Sequence, residues 1–104
     1  MDRSCIVMIC FDLPTTTAVQ RRSYRRFRTF LLRRGYHPIQ KSIYFKLLHY
    51  RSSLDSEIKA VKADSPKDGN IFVLPFAKRD FSNMISVCGK EIDLSFYLDD
   101  FLVI

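Results

Sequence analysis

The chain has 104 residues, 47% of them hydrophobic and 27% charged, with a net charge of +6, which suits one folded domain that leaves much of its surface to solvent or a partner. It has no apolar run of about 18 residues and no charged-then-apolar leader, so neither a membrane span nor secretion is expected, and the cytoplasm is the expected compartment. Cys5, Cys10 and Cys88 lack CxxC or metal-ligand spacing and two of them lie inside an apolar run, so reduced thiols are expected rather than a disulfide framework or a zinc site.

Charge is unevenly placed along the chain. Residues 1–51 hold eleven Lys/Arg and two acids, and residues 52–104 hold six and nine. The positive field belongs to the first half and suits a polyanion, nucleic acid above all, although an acidic protein would also answer it.

In chain order, Cys5-Ile6-Val7-Met8-Ile9-Cys10-Phe11 is a short apolar run closed by Asp12 and Pro14, which predicts a strand covered on both faces rather than a helix. Alternation puts Asp12 on one face with Cys10, Met8 and Ile6, and puts Phe11, Ile9, Val7 and Cys5 on the other. One face therefore carries a carboxylate at its rim. Thr17 followed by Gln20 is a capping-box pattern and Gly35 a C-terminal stop, predicting a helix over 18–34. On that helix Gln20, Tyr24, Phe27, Phe30 and Leu31 share one face. Arg22, Arg26 and Arg33 lie opposite, flanked by Arg21, Arg25 and Arg28.

Two β-rich runs follow, over 36–40 and 42–48, with Pro38 marking an edge or bulge. Ser52 or Ser53 is placed to cap a second helix near 54–64, with Leu54, Ile58 and Val61 on its buried stripe and Pro66 preventing its continuation. Asp68-Gly69 is a turn signal ahead of a strand over 70–76. Phe81, Met84, Ile85 and Cys88, spaced i, i+3, i+4 and i+7, predict a short helix stopped by Gly89, and the terminal Phe101-Leu102-Val103-Ile104 reads as a last strand. The order β-α-β-β-α-β is that of the ferredoxin-like unit, an α+β fold with two helices on one face of a four-stranded antiparallel sheet. Residues 1–104 read as one such domain with a C-terminal extension over 78–104, whose strand is placed to pair with a dimer partner's sheet edge.

Ile9-Cys10-Phe11-Asp12-Leu13-Pro14, the run YRRFRTFLLRRGYHPIQKSIYFKLL over 24–48, the strand ending Leu74-Pro75, the segment FSNMISVCG and the terminal apolar strand occur in that order. Together they resemble the small subunit of the CRISPR spacer-acquisition machinery, the second CRISPR-associated protein family, over nearly the whole chain. The resemblance implies a ferredoxin-like fold, a homodimer, and assembly with the large CRISPR integrase subunit, which supplies the transesterification chemistry while the dimer holds duplex DNA. For some members it also implies a metal-dependent RNA or DNA endonuclease, with Asp12 as the catalytic and metal-binding carboxylate. Phe11 stands where many members place Tyr, which is expected to remove a hydroxyl beside that site.

Phosphodiester hydrolysis at neutral pH needs charge neutralisation and an activated water, both of which a divalent metal supplies. Mg²⁺ prefers oxygen ligands and keeps several waters, so one or two carboxylates and a substrate phosphate can hold it. With one Asp12 per chain, such a site requires two chains to bring their carboxylates together. The bland reading of Asp12 is a turn cap or an arginine's partner. His37 and His49 are isolated, and the Ser and Thr residues show no nucleophile elbow.

The basic helix carries the other candidate site. Five arginines in the eight residues 21–28 repel one another and call for an anion. Arg21, Arg22, Arg25, Arg26, Arg28, Arg33 and Arg34 are the candidate nucleic-acid contacts, with Lys41 and Lys46 as extensions. Arg–phosphate contacts hold a duplex without reading its bases. Tyr24, Phe27 and Phe30 are expected in the core rather than as stacking platforms, and Glu91-Ile92-Asp93 and Asp99-Asp100 are candidates for docking the integrase. Two other classes are a stand-alone endoribonuclease, akin to the virulence-associated ribonuclease toxins, and an RNA-binding module on the open sheet face. The second lacks the glycine-aromatic signature of an RNA-recognition sheet.

Overall fold

The computed structural model describes residues 3–89. Its elements are β1 (Cys5–Asp12), α1 (Ala18–Arg33), β2 (His37–Gln40), β3 (Ile43–Leu48), a 3₁₀ turn (Arg51–Ser53), α2 (Leu54–Asp64), β4 (Asn70–Phe76) and α3 (Lys78–Ser82). The strands form one antiparallel sheet in the order β2-β3-β1-β4, the ferredoxin-like arrangement expected from the element order. The two prolines in strands occupy the two edges, where a missing N–H costs no ladder bond. Pro38 is in β2, whose register shifts between Pro38 and Gln40, and Pro75 is in β4.

β1 is central, paired on both sides, and its alternation divides the core. Cys5, Val7, Ile9 and Phe11 pack with Phe27 and Leu31 of α1, Val61 of α2, and Tyr36, Tyr44 and Leu48. On the opposite face, Ile6 joins Phe45, Leu47 and Phe81, with Met8, Ile39 and Phe76 against them. Both faces of the strand bury apolar area, as its continuous apolar run requires.

α1 has both ends specified. The Gln20 N–H donates to Thr17 Oγ1 at 3.1 Å, and Gln20 Oε1 accepts from the Thr17 N–H at 3.0 Å, a complete capping box. At the other end Arg34 is the cap and Gly35 takes φ +94°. The Gly35 N–H donates to Leu32 O and the Tyr36 N–H to Leu31 O, the two bonds of a Schellman motif. The helix therefore ends one residue before the expected 34, and Arg34 and Tyr36 leave it in fixed directions.

Three expectations are corrected or fall outside the described residues. Ser53 precedes α2 but makes no side-chain cap bond. The 3₁₀ turn holds it at φ −82° and ψ −3°, so its hydroxyl is not aimed at the helix donors. The helix expected through Cys88 stops at Ser82. Phe81 is buried, but Ile85 and Val87 are 81% and 95% exposed. The spacing was helical, yet only Phe81 finds a surface to pack on, and Ser82 Oγ turns back to donate to Arg79 O. The expected terminal strand lies outside the described residues. Among those residues, no helix is long and apolar enough to cross a membrane.

Gly69 takes φ +94°, and a Cβ there would lie 2.6 Å from the backbone oxygen of Asp12 and 2.8 Å from the Leu13 side chain. Glycine thus allows the turn into β4 to close against the end of β1. Gly35 has the same φ with nothing within 4 Å. Gly35→Ala is expected to cost about 1 kcal/mol, the strain of the left-handed conformation. Gly69→Ala is expected to cost about 2–3 kcal/mol, because strain and a backbone clash combine there. Urea midpoints of the two variants check the order, and equal losses would remove the case for close packing at Gly69.

Candidate nucleic-acid interface and strand-end carboxylate

Asp12 closes β1 at an exposed position and faces Asn70 across the β1–β4 ladder. Among the described residues its carboxylate takes part in no ion pair or hydrogen bond, in contrast to Glu57, which pairs with Arg34 and Lys46. Neither the turn cap nor the arginine partner of the bland reading is present. Arg21, the nearest candidate in sequence, instead donates from Nη1 to Thr15 O at 3.2 Å and Thr16 O at 2.8 Å.

The face that Asp12 shares is only partly covered. At one end Phe81 closes over Phe45 and Phe76, with ring centroids 4.6 and 5.8 Å away. Toward Asp12, Cys10 pairs with Phe72 and Met8 with Leu74. Phe72 and Leu74 are 66% and 42% exposed. The unpaired carboxylate therefore stands at the rim of an uncovered apolar strip, where burial already raises the Cys10 thiol pKa.

Phe11 corrects the expectation attached to it. It is buried against Tyr24, Phe27 and Tyr44 on the helix-covered face, opposite to the face of Asp12. A phenol there would enter the aromatic core, so its absence removes no hydroxyl from beside the carboxylate.

Among the described residues, no three His, Cys, Asp or Glu side chains come close enough to hold a metal together. Asp12 offers one hard oxygen donor, which suits Mg²⁺ only if water, a phosphate or a second chain completes the shell. The exposed Asn70 opposite it is a further oxygen-bearing side chain on this rim. Sequence reading missed it because the two meet only through strand pairing.

The seven candidate arginines divide into three groups. Arg21 secures the loop before α1. Arg34 donates from Nε and Nη2 to the Glu57 carboxylate at 2.9 and 3.2 Å. Arg22, Arg25, Arg26, Arg28 and Arg33 are exposed on α1 and, among the described residues, have no carboxylate within ion-pair range. Four of these five, with Thr29, Phe30 and Asp64, line an open groove of about 500 Å³. Lys46 is not available as an extension of the track. It donates to Glu57 Oε1 at 2.9 Å and Arg34 O at 3.1 Å and lies over the Tyr36 ring.

Glu57, 5% exposed, is the single buried charged side chain among the described residues. It accepts from Arg34, Lys46 and the Tyr36 hydroxyl. Burial opposes its ionisation, but those three donors outweigh it, leaving the pKa below the usual carboxylate value. Burial, and then the Glu57 charge, push the Tyr36 phenol far up, so Tyr36 stays a donor. A signal for Glu57 existed: it lies three residues after Leu54 and four before Val61, on the buried stripe of α2.

The sheet order, the two helices over one face and the arginine-faced first helix define an α+β protein of ferredoxin-like topology, basic on one helix and acidic at one strand end. The family described as CRISPR associated protein Cas2 matches residues 5–84. A protein of Streptococcus mutans named CRISPR-associated endoribonuclease Cas2 is 40% identical over 85 residues, 82% of this chain and 79% of the relative. Proteins of the same name from Treponema denticola and Acidovorax ebreus are 31% and 32% identical, covering 94% and 83% of this chain and 97% and 84% of theirs. The chain belongs to the CRISPR-associated Cas2 family.

Because the Glu57 pKa is lower folded than unfolded, its contribution is complete above the ordinary carboxylate value of 4.5 and is lost as pH falls through the folded value. Glu57→Ala strands the donors and is expected to cost about 3 kcal/mol, the low end for a broken buried pair because Arg34 and Lys46 keep some solvent. The gap in urea midpoint between Glu57→Ala and the parent chain should be widest at neutral pH and narrow as pH falls below the ordinary carboxylate value. A constant gap between them would show that the carboxylate's ionisation is not what stabilises the joint.

Proposed function

We propose that the protein acts in CRISPR adaptation as a homodimer that holds duplex DNA without sequence preference and scaffolds the large integrase subunit. The observation that carries this reading is the set of unpaired arginines, Arg22, Arg25, Arg26, Arg28 and Arg33, on one exposed face of α1. Guanidinium groups bind phosphate oxygens bidentately, and contacts to phosphate ignore base identity. The uncovered strip of Phe72 and Leu74 is the surface a second copy would bury. Duplex binding should then fall steeply with salt. Removing phosphate-binding side chains, as in Arg22→Ala/Arg26→Ala, should flatten log K against log salt by about 0.9 per arginine. Undetectable or salt-insensitive duplex binding by the dimer with integrase present would overturn the reading.

A second reading, endoribonuclease activity, is favoured by the unpartnered Asp12 and by the name of the relatives. When bound, a divalent metal such as Mg²⁺ would neutralise the scissile phosphate and lower the pKa of a water. Asp12 would hold that ion, the outer strip would exclude water around it, and the partner's equivalent carboxylate would complete the site. Cleavage of RNA should disappear with chelator and fall at least about 100-fold in Asp12→Ala, with dimerisation retained. Integration assays with partner integrase, duplex donor and array DNA separate the two roles. Normal integration by Asp12→Ala, with failure of the arginine variant, would assign the adaptation role to the scaffold alone.

A further inference from the structure

The groove beside α1 has a feature that duplex binding leaves unused. Arg22, Arg26 and Arg33 stand at i, i+4 and i+11, a stripe about 16 Å long at 1.5 Å per residue. Phe30 flanks that stripe. It is half-buried, with its ring stacked on Phe27 at 6.2 Å and 21° between planes, and it also lines the groove. A ring braced from behind by a core aromatic keeps a fixed orientation at low entropic cost. From α2 the groove receives Asp64, the one acid among its lining residues, which makes no ion pair with the arginines.

A duplex has no use for this arrangement, since its bases are already stacked on both faces and their pairing edges occupied. An unpaired nucleotide has a free π-face, a free pairing edge and its own phosphates. We propose that the groove between α1 and the end of α2 seats an unpaired stretch of nucleic acid, with one base on Phe30 and the flanking phosphates on Arg22, Arg26 and Arg33. Asp64 repels phosphate, so the backbone lies on the α1 side and a base edge turns toward α2. Of the four bases, guanine alone presents two adjacent donors, N1–H and the 2-amino group, on its pairing edge, and a carboxylate accepts both. The site therefore prefers guanine. This inference rests on the nucleic-acid reading above and adds a ligand state and a place for it.

The test uses the full chain and fluorescence anisotropy with three labelled probes: a U₈ RNA, the same RNA with one central G, and a mixed-sequence duplex. Phe30→Leu, which keeps an apolar residue against Phe27, should weaken both octamers about tenfold, the usual value of one base–aromatic stack, and leave duplex affinity within about twofold. Asp64→Asn should abolish the preference for the G-containing octamer. Equal weakening of octamers and duplex by Phe30→Leu, or of none, would overturn the proposal. Photocrosslinking of the unmutated protein to an octamer carrying 5-iodouridine needs no folding assumption. Mass spectrometry should map the adduct to Phe30, and an adduct only elsewhere would overturn the site. Displacement of the octamer by micromolar free GTP would reassign the groove to a mononucleotide and overturn the strand. Duplex binding with no octamer binding ends this inference alone, whereas failure of both also ends the nucleic-acid reading.

Discussion

The carboxylate of Glu57 is the fixed point around which the helical layer is arranged. Its three donors come from two stretches of the chain: Arg34 caps α1 and Tyr36 lies two residues beyond, while Lys46 is in the middle of β3. An acid buried in an apolar layer is costly by itself, and the cost is met only because each oxygen has a donor. The arrangement in turn needs the Schellman turn at Gly35, which sends Arg34 and Tyr36 toward α2. One carboxylate thus joins α1, β3 and α2, and so sets the rotation of α1 about its axis.

That rotation decides which arginines are free. With Phe27 and Leu31 turned inward and Arg34 held at Glu57, Arg22, Arg25, Arg26, Arg28 and Arg33 are left exposed. The basic character of the first half of the chain is therefore divided. Arg21, Arg34 and Lys46 are structural cations, engaged with backbone oxygens or the buried acid. The five exposed arginines of α1 concentrate charge on that helix with no ion-pair partner among the described residues, and an external anion would relieve their mutual repulsion.

Elements whose cause is local were legible in the sequence. β1 and its two faces, the capping box at Thr17, the stop at Gly35, the edge position of Pro38 and the spans of α2 and β4 follow from alternation, caps and turn residues within a few positions of each other. What escaped depends on contacts between distant residues. Glu57 in the first turn of α2 reads as a helix-dipole complement, and only the approach of residues 34, 36 and 46 makes it a buried joint. The period at Phe81, Met84, Ile85 and Cys88 is helical, but periodicity cannot supply the second surface that helix formation needs. Of the candidate site, the residue types were readable and their allocation was not. Nothing in the order of letters separates Arg33, which is free, from Arg34, which is engaged.

The strand-end acid follows the same logic from the opposite side. Glu57 is inside and surrounded by donors, whereas Asp12 is exposed, has no donor among the described residues, and borders the apolar strip of Phe72 and Leu74. Covering that strip with a second copy would remove solvent from two such carboxylates at once. Like charges drawn together in a lower dielectric repel strongly unless a cation lies between them. Dimerisation through this face and binding of a divalent cation would therefore favour each other, since each lowers the cost that the other leaves. A lone carboxylate at the rim of an exposed apolar strip, without a partner among the described residues, has the chemistry such a coupled pair would need.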